Sequence, residues 1–132
     1  IRLALKDAGI TPEALNYINA HATSTEVGDL IEVQAIKTVL GDHAYKVAIS
    51  ATKSMTGHLL GGSGGIAGVA TALAIYNGMA PPTLNLENPD PICDLDFVPH
   101  TARALSIEAG MLNAFGFGGH NVALVFRKFH QT

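Results

Sequence analysis

The sequence predicts an α/β domain in which helices cover both faces of one mixed β-sheet. Short apolar runs alternate with helix-like segments over residues 1–77, a pattern typical of parallel strands joined by helices. Two further apolar runs, at 111–117 and 121–126, flank a glycine-rich turn and predict a hairpin. The sheet should therefore combine parallel βα units with a C-terminal antiparallel hairpin.

Glycines and capping residues set the bounds of the predicted elements. The first helix ends near Gly9, which suits the C′ position of a helix. The second helix follows a run of hydroxyl residues in which Thr23 and Glu26 have capping-box spacing, and it ends at Gly41. In chain order we predict a helix at about 1–8, a strand at 15–19, a helix at 26–40, strands at 46–50 and 94–98 on either side of a helix at 63–77, and strands at 111–117 and 121–126.

The two longer helices have different apolar patterns. The helix at 63–77 is apolar nearly all round and rich in alanine and glycine, which predicts burial on most of its sides. The prolines of the connection at 81–91 favour extended or turn geometry after it. The helix at 26–40 instead carries its apolar residues near one face, at Val27, Leu30, Ile31, Ala35 and Val39.

Composition excludes several classes of function. The chain has 132 residues, 48% hydrophobic and 14% charged, so we expect one compact domain, or part of a larger one, that buries surface against something beyond itself. A net charge of −3 without a basic cluster leaves no electrostatic footprint for nucleic acid. The longest apolar stretch, 66–76, is too short for a membrane span, which needs about 20 residues.

Cysteine content and the first residues bear on compartment and completeness. The single cysteine, Cys93, excludes an internal disulfide framework and fits a reducing compartment, and the sequence shows no secretory signal. The chain opens at Ile1 already in a helical pattern, so we expect further sequence upstream.

Two histidines stand where predicted strands run out into loops. His21 follows the strand at 15–19, and His58 follows the strand at 46–50. A single histidine of this kind is more often a loop residue with a structural hydrogen bond. A matched pair favours a site, because ligands of α/β sheets gather at the carboxyl ends of strands. Two imidazoles there could stabilise negative charge on a substrate oxygen.

Two nearby features allow both a structural and a functional interpretation. Lys53 precedes His58 in the same loop and is either an ordinary exposed lysine or a charge that keeps an imidazole neutral. The segment NAFGFGGHN at 113–121 is either a hairpin with core aromatics or a flexible gate. In the second case Phe115 lies beside glycines whose N–H groups can point at an oxyanion.

Three other chemistries fit the residues poorly. The glycine run at 61–65 lacks the Gly-Lys-Ser/Thr of a nucleotide P-loop and lies too far beyond its strand for a dinucleotide fingerprint. No pair among His21, His58, His120 and Cys93 has the tight spacing of zinc ligands, so no metal is expected. Cys93 also lacks a helix N-terminus or an adjacent base that would activate it as a nucleophile.

Taken together, the motifs resemble those of the β-ketoacyl-acyl-carrier-protein synthases, elongating condensing enzymes of fatty-acid synthesis in the thiolase-like superfamily. The resemblance covers essentially the whole chain. It implies that residues 1–132 form the C-terminal half of a thiolase-like fold, without the N-terminal half that carries the nucleophilic cysteine. The matching segments are NAHATST at 19–25, TKSMTGH at 52–58, PPTLN at 81–85, CDLDFVP at 93–99 and NAFGFGG at 113–119.

The resemblance implies decarboxylative Claisen condensation between malonyl-carrier protein and an acyl group held on a cysteine. It makes His21 and His58 the catalytic histidines that hydrogen-bond the malonyl thioester oxygen, with Lys53 as a supporting lysine. Phe115 would be the gate, and its backbone N–H would contribute to an oxyanion hole. The implied substrate-binding residues are Thr23 and Thr25, on the phosphopantetheine arm, together with Phe115, Gly116 and Phe117.

The resemblance also implies partners and a compartment. No cofactor is expected beyond the phosphopantetheine that the acyl carrier protein brings. The expected partners are the acyl carrier protein, the N-terminal half of the same enzyme and a second copy in a homodimer. The expected location is the cytoplasm, or the plastid or mitochondrion in a eukaryote.

One residue departs from the family pattern and keeps two alternatives open. Fatty-acid synthases of this family usually have a glutamate where this chain has Ala67, so Lys53 lacks that partner. Modular polyketide synthases also lack the glutamate, and a polyketide ketosynthase is one alternative. The other is a non-catalytic partner, similar to a chain-length factor, that acts in dimerisation and carrier-protein docking.

Overall fold

The computed structural model describes residues 1–131. Short 3-10 turns connect several of its elements. The helices and strands in chain order are α1 (Arg2–Asp7), β1 (Tyr17–Asn19), α2 (Glu26–Leu40), β2 (Ala48–Ser50), α3 (Lys53–Thr56), α4 (Ser63–Asn77), β3 (Met79–Ala80), β4 (Arg103–Ala104), β5 (Ala109–Phe115) and β6 (Asn121–Arg127).

A four-stranded mixed sheet with the order β2-β1-β5-β6 organises the fold. β1 lies between β2 and β5 and runs parallel to both, while β6 pairs with β5 in antiparallel register. The predicted combination of parallel βα units and a C-terminal hairpin is therefore confirmed. Both predicted site strands, β1 and β2, end at the same edge of this sheet.

Helices pack on both faces of the sheet, as predicted. Successive residues of a strand point to opposite faces, and the core accordingly divides into two clusters. Ile18 of β1 lies in the cluster on the α2 side together with Ile36, whereas its neighbour Tyr17 lies on the α4 side with Ile75. The sheet is thus the middle layer of three.

The predicted edge strand at 94–98 does not form. The backbone N–H of Ile49 donates to the carbonyl of Asp96 at 2.8 Å, so this segment touches β2 without building a ladder. The Asp96 carboxylate accepts the N–H of Val98 at 3.2 Å, a local side-chain bond that competes with strand pairing. The pairing seen nearby is instead between β3 and β4, two residues each, which the sequence analysis did not predict.

The capping-box prediction is also wrong. Thr25, not Thr23, is the residue before α2, and its side chain makes no capping hydrogen bond. The two threonine hydroxyls instead lie 3.1 Å apart and bond to each other.

The apolar face that the sequence indicates on α2 packs only in part, with Val39 against the core. Val27 and Ile31 are exposed, whereas Val33, Ile36 and Leu40 are buried. The reason is that the helix carries apolar residues on two faces, and the sheet covers only one of them.

Helix α4 is less buried than its composition predicts. Ala67, Thr71, Ala74 and Ile75 pack inward. The opposite face leaves Val69, Leu73 and Tyr76 exposed, by 61%, 53% and 84% respectively. Within residues 1–131 the expectation of burial on most sides is therefore wrong, and no described residue covers this apolar face of the helix. No helix in residues 1–131 is long and apolar enough to cross a membrane.

Candidate active site

The two predicted site histidines meet at the edge of the sheet. His21 follows β1 and His58 follows β2 after the short helix α3, so parallel pairing of the two strands brings their loops together. The ring centroids lie 5.7 Å apart and the ring planes are perpendicular. The convergence that the sequence predicts from matched strand ends is confirmed.

Phe115 joins the histidines from the end of β5. Its ring centroid lies 5.2 Å from that of His21, with the planes tilted by 56°. A cavity of about 690 Å³ opens in front of the three rings. Every residue singled out as a site candidate lines it: His21, Thr23, Thr25, Lys53, His58, Phe115, Gly116 and Phe117.

His21 is held as a neutral imidazole. Burial, which is the largest cause, together with the charges of Lys53 and of the neighbouring His58, lowers the pKa of His21 to about 4. At neutral pH the ring is therefore uncharged and can act as a hydrogen-bond donor through its single N–H. The charge of Lys53 thus acts in the same direction as burial, which is the larger cause.

The loop that carries His21 is fixed by a buried carboxylate that the sequence analysis missed. Glu32, on α2, is only 4% exposed. Its Oε1 accepts the backbone N–H of His21 at 2.9 Å and the side-chain amide of Asn113 at 3.0 Å, and its Oε2 accepts the N–H of Ala22 at 2.9 Å. Burial raises the pKa of Glu32, although these three donors oppose the rise. One carboxylate therefore ties together α2, the His21 loop and β5.

Lys53 has no glutamate partner at position 67, where this chain has Ala67, but carboxylates on α2 act on it. Lys53 is half-buried, and burial lowers its pKa, but the charges of Glu32 and Asp29 on α2 act in the opposite sense. The negative charges that act on Lys53 therefore come from α2 and not from α4. A sequence signal for Glu32 did exist, since it continues the buried i, i+4 row of Ile36 and Leu40.

The space beside Ala67 is filled by a neutral hydrogen-bond network. The side-chain amide of Asn19 donates to the carbonyl of Ala67 at 3.1 Å and to the Thr71 hydroxyl at 3.2 Å. The Thr52 hydroxyl donates to Asn19 Oδ1 at 2.9 Å. These buried polar groups therefore find their partners within the chain without a charged residue on α4.

The backbone N–H of Phe115 is free of the hairpin ladder. The N–H of Gly116 donates to the carbonyl of His120 at 2.7 Å, which marks a hydrogen-bonded pair. Hydrogen-bonded and non-hydrogen-bonded pairs alternate in antiparallel strands, so Phe115 and Asn121 form a non-hydrogen-bonded pair. The Phe115 N–H consequently points away from β6, beyond the end of β1, whose pairing with β5 stops at Leu112.

Cys93 lies outside this site. It is partly buried in the connection after β3 and lines a separate cavity of about 310 Å³ against α2. Burial raises the pKa of its thiol, which lowers the fraction of nucleophilic thiolate at neutral pH. In residues 1–131 no group of three or more His, Cys, Asp or Glu side chains is arranged to hold a metal ion.

Comparison with known proteins gives one consistent family. Residues 1–87 match the family described as β-ketoacyl synthase, C-terminal domain. The chain is 61% identical over 129 residues to 3-oxoacyl-[acyl-carrier-protein] synthase 2 of Synechocystis sp., covering 98% of this chain and 31% of that protein. It is 58% identical over 125 residues to the protein of the same name from Coxiella burnetii, covering 95% of this chain and 30% of that one. The chain thus spans about three tenths of the length of these relatives.

Solved structures share the fold. A structure described as a type II polyketide acyl-carrier protein in complex with its ketosynthase matches with a TM-score of 0.95 and 41% identity, over 98% of this chain and 32% of that one. A β-ketoacyl synthase from Burkholderia phymatum matches with a TM-score of 0.91 and 41% identity, over 98% of this chain and 31% of that one. The fold is therefore thiolase-like, and the chain belongs to the β-ketoacyl synthase C-terminal domain family.

Proposed function

We propose that this chain supplies the decarboxylation half of a 3-oxoacyl-[acyl-carrier-protein] synthase active site, acting in fatty-acid chain elongation. The observation that carries the proposal is the convergence of His21, His58 and Phe115 on one cavity, with His21 held neutral. A neutral His21, a second imidazole and a free backbone N–H on one cavity suit a reaction in which negative charge develops on thioester oxygens.

The proposed reaction has two steps. In the first, the bond between the carboxylate carbon and C2 of the malonyl thioester breaks, carbon dioxide leaves, and the electron pair delocalises onto the thioester oxygen. Hydrogen bonds from His21 and His58 stabilise that enolate. In the second, C2 attacks the acyl thioester on a cysteine of the upstream half, a carbon–carbon bond forms, and the cysteine leaves as thiolate.

His58 has the tautomer that this role needs. Its Nδ1 lies 3.0 Å from the backbone N–H of Leu60, which can only donate, so Nδ1 carries the lone pair. The proton of the neutral ring is then on Nε2. Such a group donates a hydrogen bond to a developing oxyanion without first losing a proton.

Phe115 serves the second step in this proposal. The tetrahedral intermediate on the acyl carbonyl carries an oxyanion, and the Phe115 N–H, unused by the hairpin, is a donor for it. The side chain lies against His21 and next to Gly116, whose missing side chain leaves the backbone freer to move. We assign it the gating of acyl loading.

Thr23 and Thr25 are proposed to bind the phosphopantetheine arm. Both line the same cavity as the histidines, and their hydroxyls already bond to each other. A pair of hydroxyls can offer both a donor and an acceptor to the amide groups of the arm. No other cofactor is part of the proposal.

The proposed partners follow from the exposed apolar surface and from the relatives. The unpacked face of α4, with Val69, Leu73 and Tyr76, is where we place the N-terminal half of the enzyme. The solved ketosynthase complex with an acyl-carrier protein supports such a carrier as the substrate donor. We further propose a homodimer that works in the cytoplasm, or in a plastid or mitochondrion in a eukaryote.

A polyketide ketosynthase is the second candidate because Ala67 stands in place of the family glutamate and a polyketide neighbour shares the fold closely. The higher identity to the fatty-acid enzymes, 61% against 41%, favours the first proposal. For the non-catalytic alternative, the residue at the nucleophile position upstream is decisive. A cysteine there supports an enzyme and any other residue a partner subunit.

The test is decarboxylation of malonyl-carrier protein by the longer protein that contains this chain and its upstream half. We expect His58→Ala to lower kcat by roughly 10²–10³, the usual loss for one oxyanion donor. His130→Ala, which removes an exposed imidazole bonded to Glu108 far from the cavity, is the matched control. A His58→Ala rate equal to that of the control would contradict the proposed role.

The gate has its own test. Phe115→Ala should change the rate of acyl transfer onto the cysteine more than it changes the thermal midpoint of unfolding, because the ring is only partly buried. Unaltered acylation kinetics would remove the gate from the proposal and leave the histidine assignments in place.

A further inference from the structure

The hydroxyl of Ser63 makes two contacts with the loop that carries His58. Ser63 is the first residue of α4, and its Oγ lies 2.8 Å from His58 Nδ1 and 2.8 Å from the backbone nitrogen of Leu59. Neither contact is needed by the helix, whose N-terminus makes no side-chain capping bond. The hydroxyl is directed backwards, at the histidine.

The direction of each hydrogen bond follows from the chemistry of the groups. The Leu59 N–H can only donate, so Ser63 Oγ accepts from it. The hydroxyl proton is then available to His58 Nδ1, which also accepts from the N–H of Leu60. The Leu60 N–H and the Ser63 hydroxyl therefore both donate towards the single lone pair of Nδ1.

The backbone between the two residues is shaped for this contact. Leu60 has φ of +51°, a left-handed conformation that is uncommon for a non-glycine residue. The Leu60 N–H donates to Nδ1 at 3.0 Å, and the 3-10 turn Leu60–Gly62 then brings the Ser63 hydroxyl back to His58. The hydrogen bond from the Ser63 hydroxyl to His58 is the second contact, after that of Leu60, between this turn and the imidazole.

We propose that Ser63 is a positioning residue for His58, which fixes both the orientation of the ring and the Nε2–H tautomer. This inference rests on the proposed function, because a fixed Nε2–H donor matters only if His58 stabilises an oxyanion. It assigns to Ser63 no contact with substrate. Without the hydroxyl, Leu60 alone holds Nδ1, and the ring gains freedom to rotate and to populate the other tautomer.

The experiment uses the longer protein with its upstream half and the variants Ser63→Ala, Ser63→Thr and Ser106→Ala. The last removes an exposed serine hydroxyl at the other end of the molecule and is the control. Loss of one hydrogen bond of about 0.5–1.5 kcal/mol corresponds to a 2- to 13-fold fall in rate. We expect Ser63→Ala to lower kcat for malonyl decarboxylation within this range with little change in KM, and Ser63→Thr to restore it.

A spectroscopic readout separates this inference from the proposed function. With ¹⁵N-labelled histidine, the ring nitrogens of His58, assigned through His58→Asn, should show Nε2 protonated in the unmodified protein. Ser63→Ala should shift both signals towards averaged tautomers, while Ser63→Thr and Ser106→Ala should not. Unchanged nitrogen shifts in Ser63→Ala, or a Thr variant as impaired as the Ala variant, would overturn the role of Ser63. A protein without decarboxylase activity would refute the proposed function. The nitrogen spectra would still test whether the Ser63 hydroxyl fixes the tautomer of His58.

Discussion

Replacing Glu32 by glutamine tests whether a single buried carboxylate holds the His21 loop in place. Glutamine keeps the volume of the side chain and one carbonyl oxygen but turns the other oxygen into an amide donor. If the new NH₂ takes the Oε2 position it faces the N–H of Ala22, and if it takes the Oε1 position it faces the N–H of His21. In either orientation one backbone N–H loses its acceptor.

The magnitude follows from this geometry. Asn113 can turn its side-chain amide and present Oδ1, which has no hydrogen-bond partner among the described residues, so its contact with position 32 is recoverable. The backbone N–H cannot turn. Leaving one buried N–H unsatisfied costs about 1–3 kcal/mol, which corresponds to roughly 5- to 150-fold in an opening equilibrium.

Amide hydrogen exchange measures that opening directly. In the longer protein, the peptide that covers residues 20–24 should exchange roughly 5- to 150-fold faster in Glu32→Gln than in the parent. The control is Glu26→Gln, an exposed carboxylate in the first turn of the same helix. Equal exchange in the parent and Glu32→Gln, or the same acceleration in Glu26→Gln, would refute the assignment of Glu32 as the tie.

Three further substitutions test other parts of the site. Lys53→Met should raise the pKa of His21 from about 4 towards its ordinary value of 6.5, because the lysine charge is the second cause of the shift after burial; an NMR titration of the imidazole that gives an unchanged pKa would contradict this. Gly28→Ala places a Cβ against the Thr25 hydroxyl and should rotate it away, raising KM for the carrier-linked substrate with little change in kcat; equal KM values would remove Thr25 from the binding site. Leu73→Ala should lower the free energy of unfolding of the longer protein by about 1 kcal/mol or more, because the upstream half would bury a side chain that is 53% exposed in this chain. An unchanged free energy in denaturant unfolding would place the upstream half elsewhere.

The sequence predicts the strand ends and their histidines because these depend on local patterns. A short apolar run followed by a polar loop identifies β1 and β2, and parallel pairing then brings His21 and His58 together. The hairpin is equally local, since alternating apolar residues and glycines specify it. The predicted site therefore needed only the order of the elements and the rule that ligands gather at strand ends.

Features that depend on which face of a helix packs were not predictable in the same way. Helix α2 carries apolar residues on two faces, and a pattern that indicates Val27 and Ile31 as inward-facing misses the row that contains Glu32, Ile36 and Leu40. Only the sheet decides between the two faces. The same choice determines that the carboxylate, and not an apolar side chain, meets the His21 loop.

The exposed apolar face of α4 bears on the proposed partners of this chain. On α4 the outward residues Val69, Leu73 and Tyr76 are apolar, although an outer helix face in water ordinarily carries charged side chains. Exposed apolar patches of this kind commonly mark interaction surfaces, which is why we propose that another part of the protein covers these residues. The cavity is also open to solvent, because Phe117, which lines it, is 91% exposed.

The proposed chemistry requires a thiolate. The only cysteine of the sequence, Cys93, lines a different cavity, and burial raises the pKa of its thiol. An upstream half that covers the apolar faces would therefore also be the part that brings the nucleophile to these histidines.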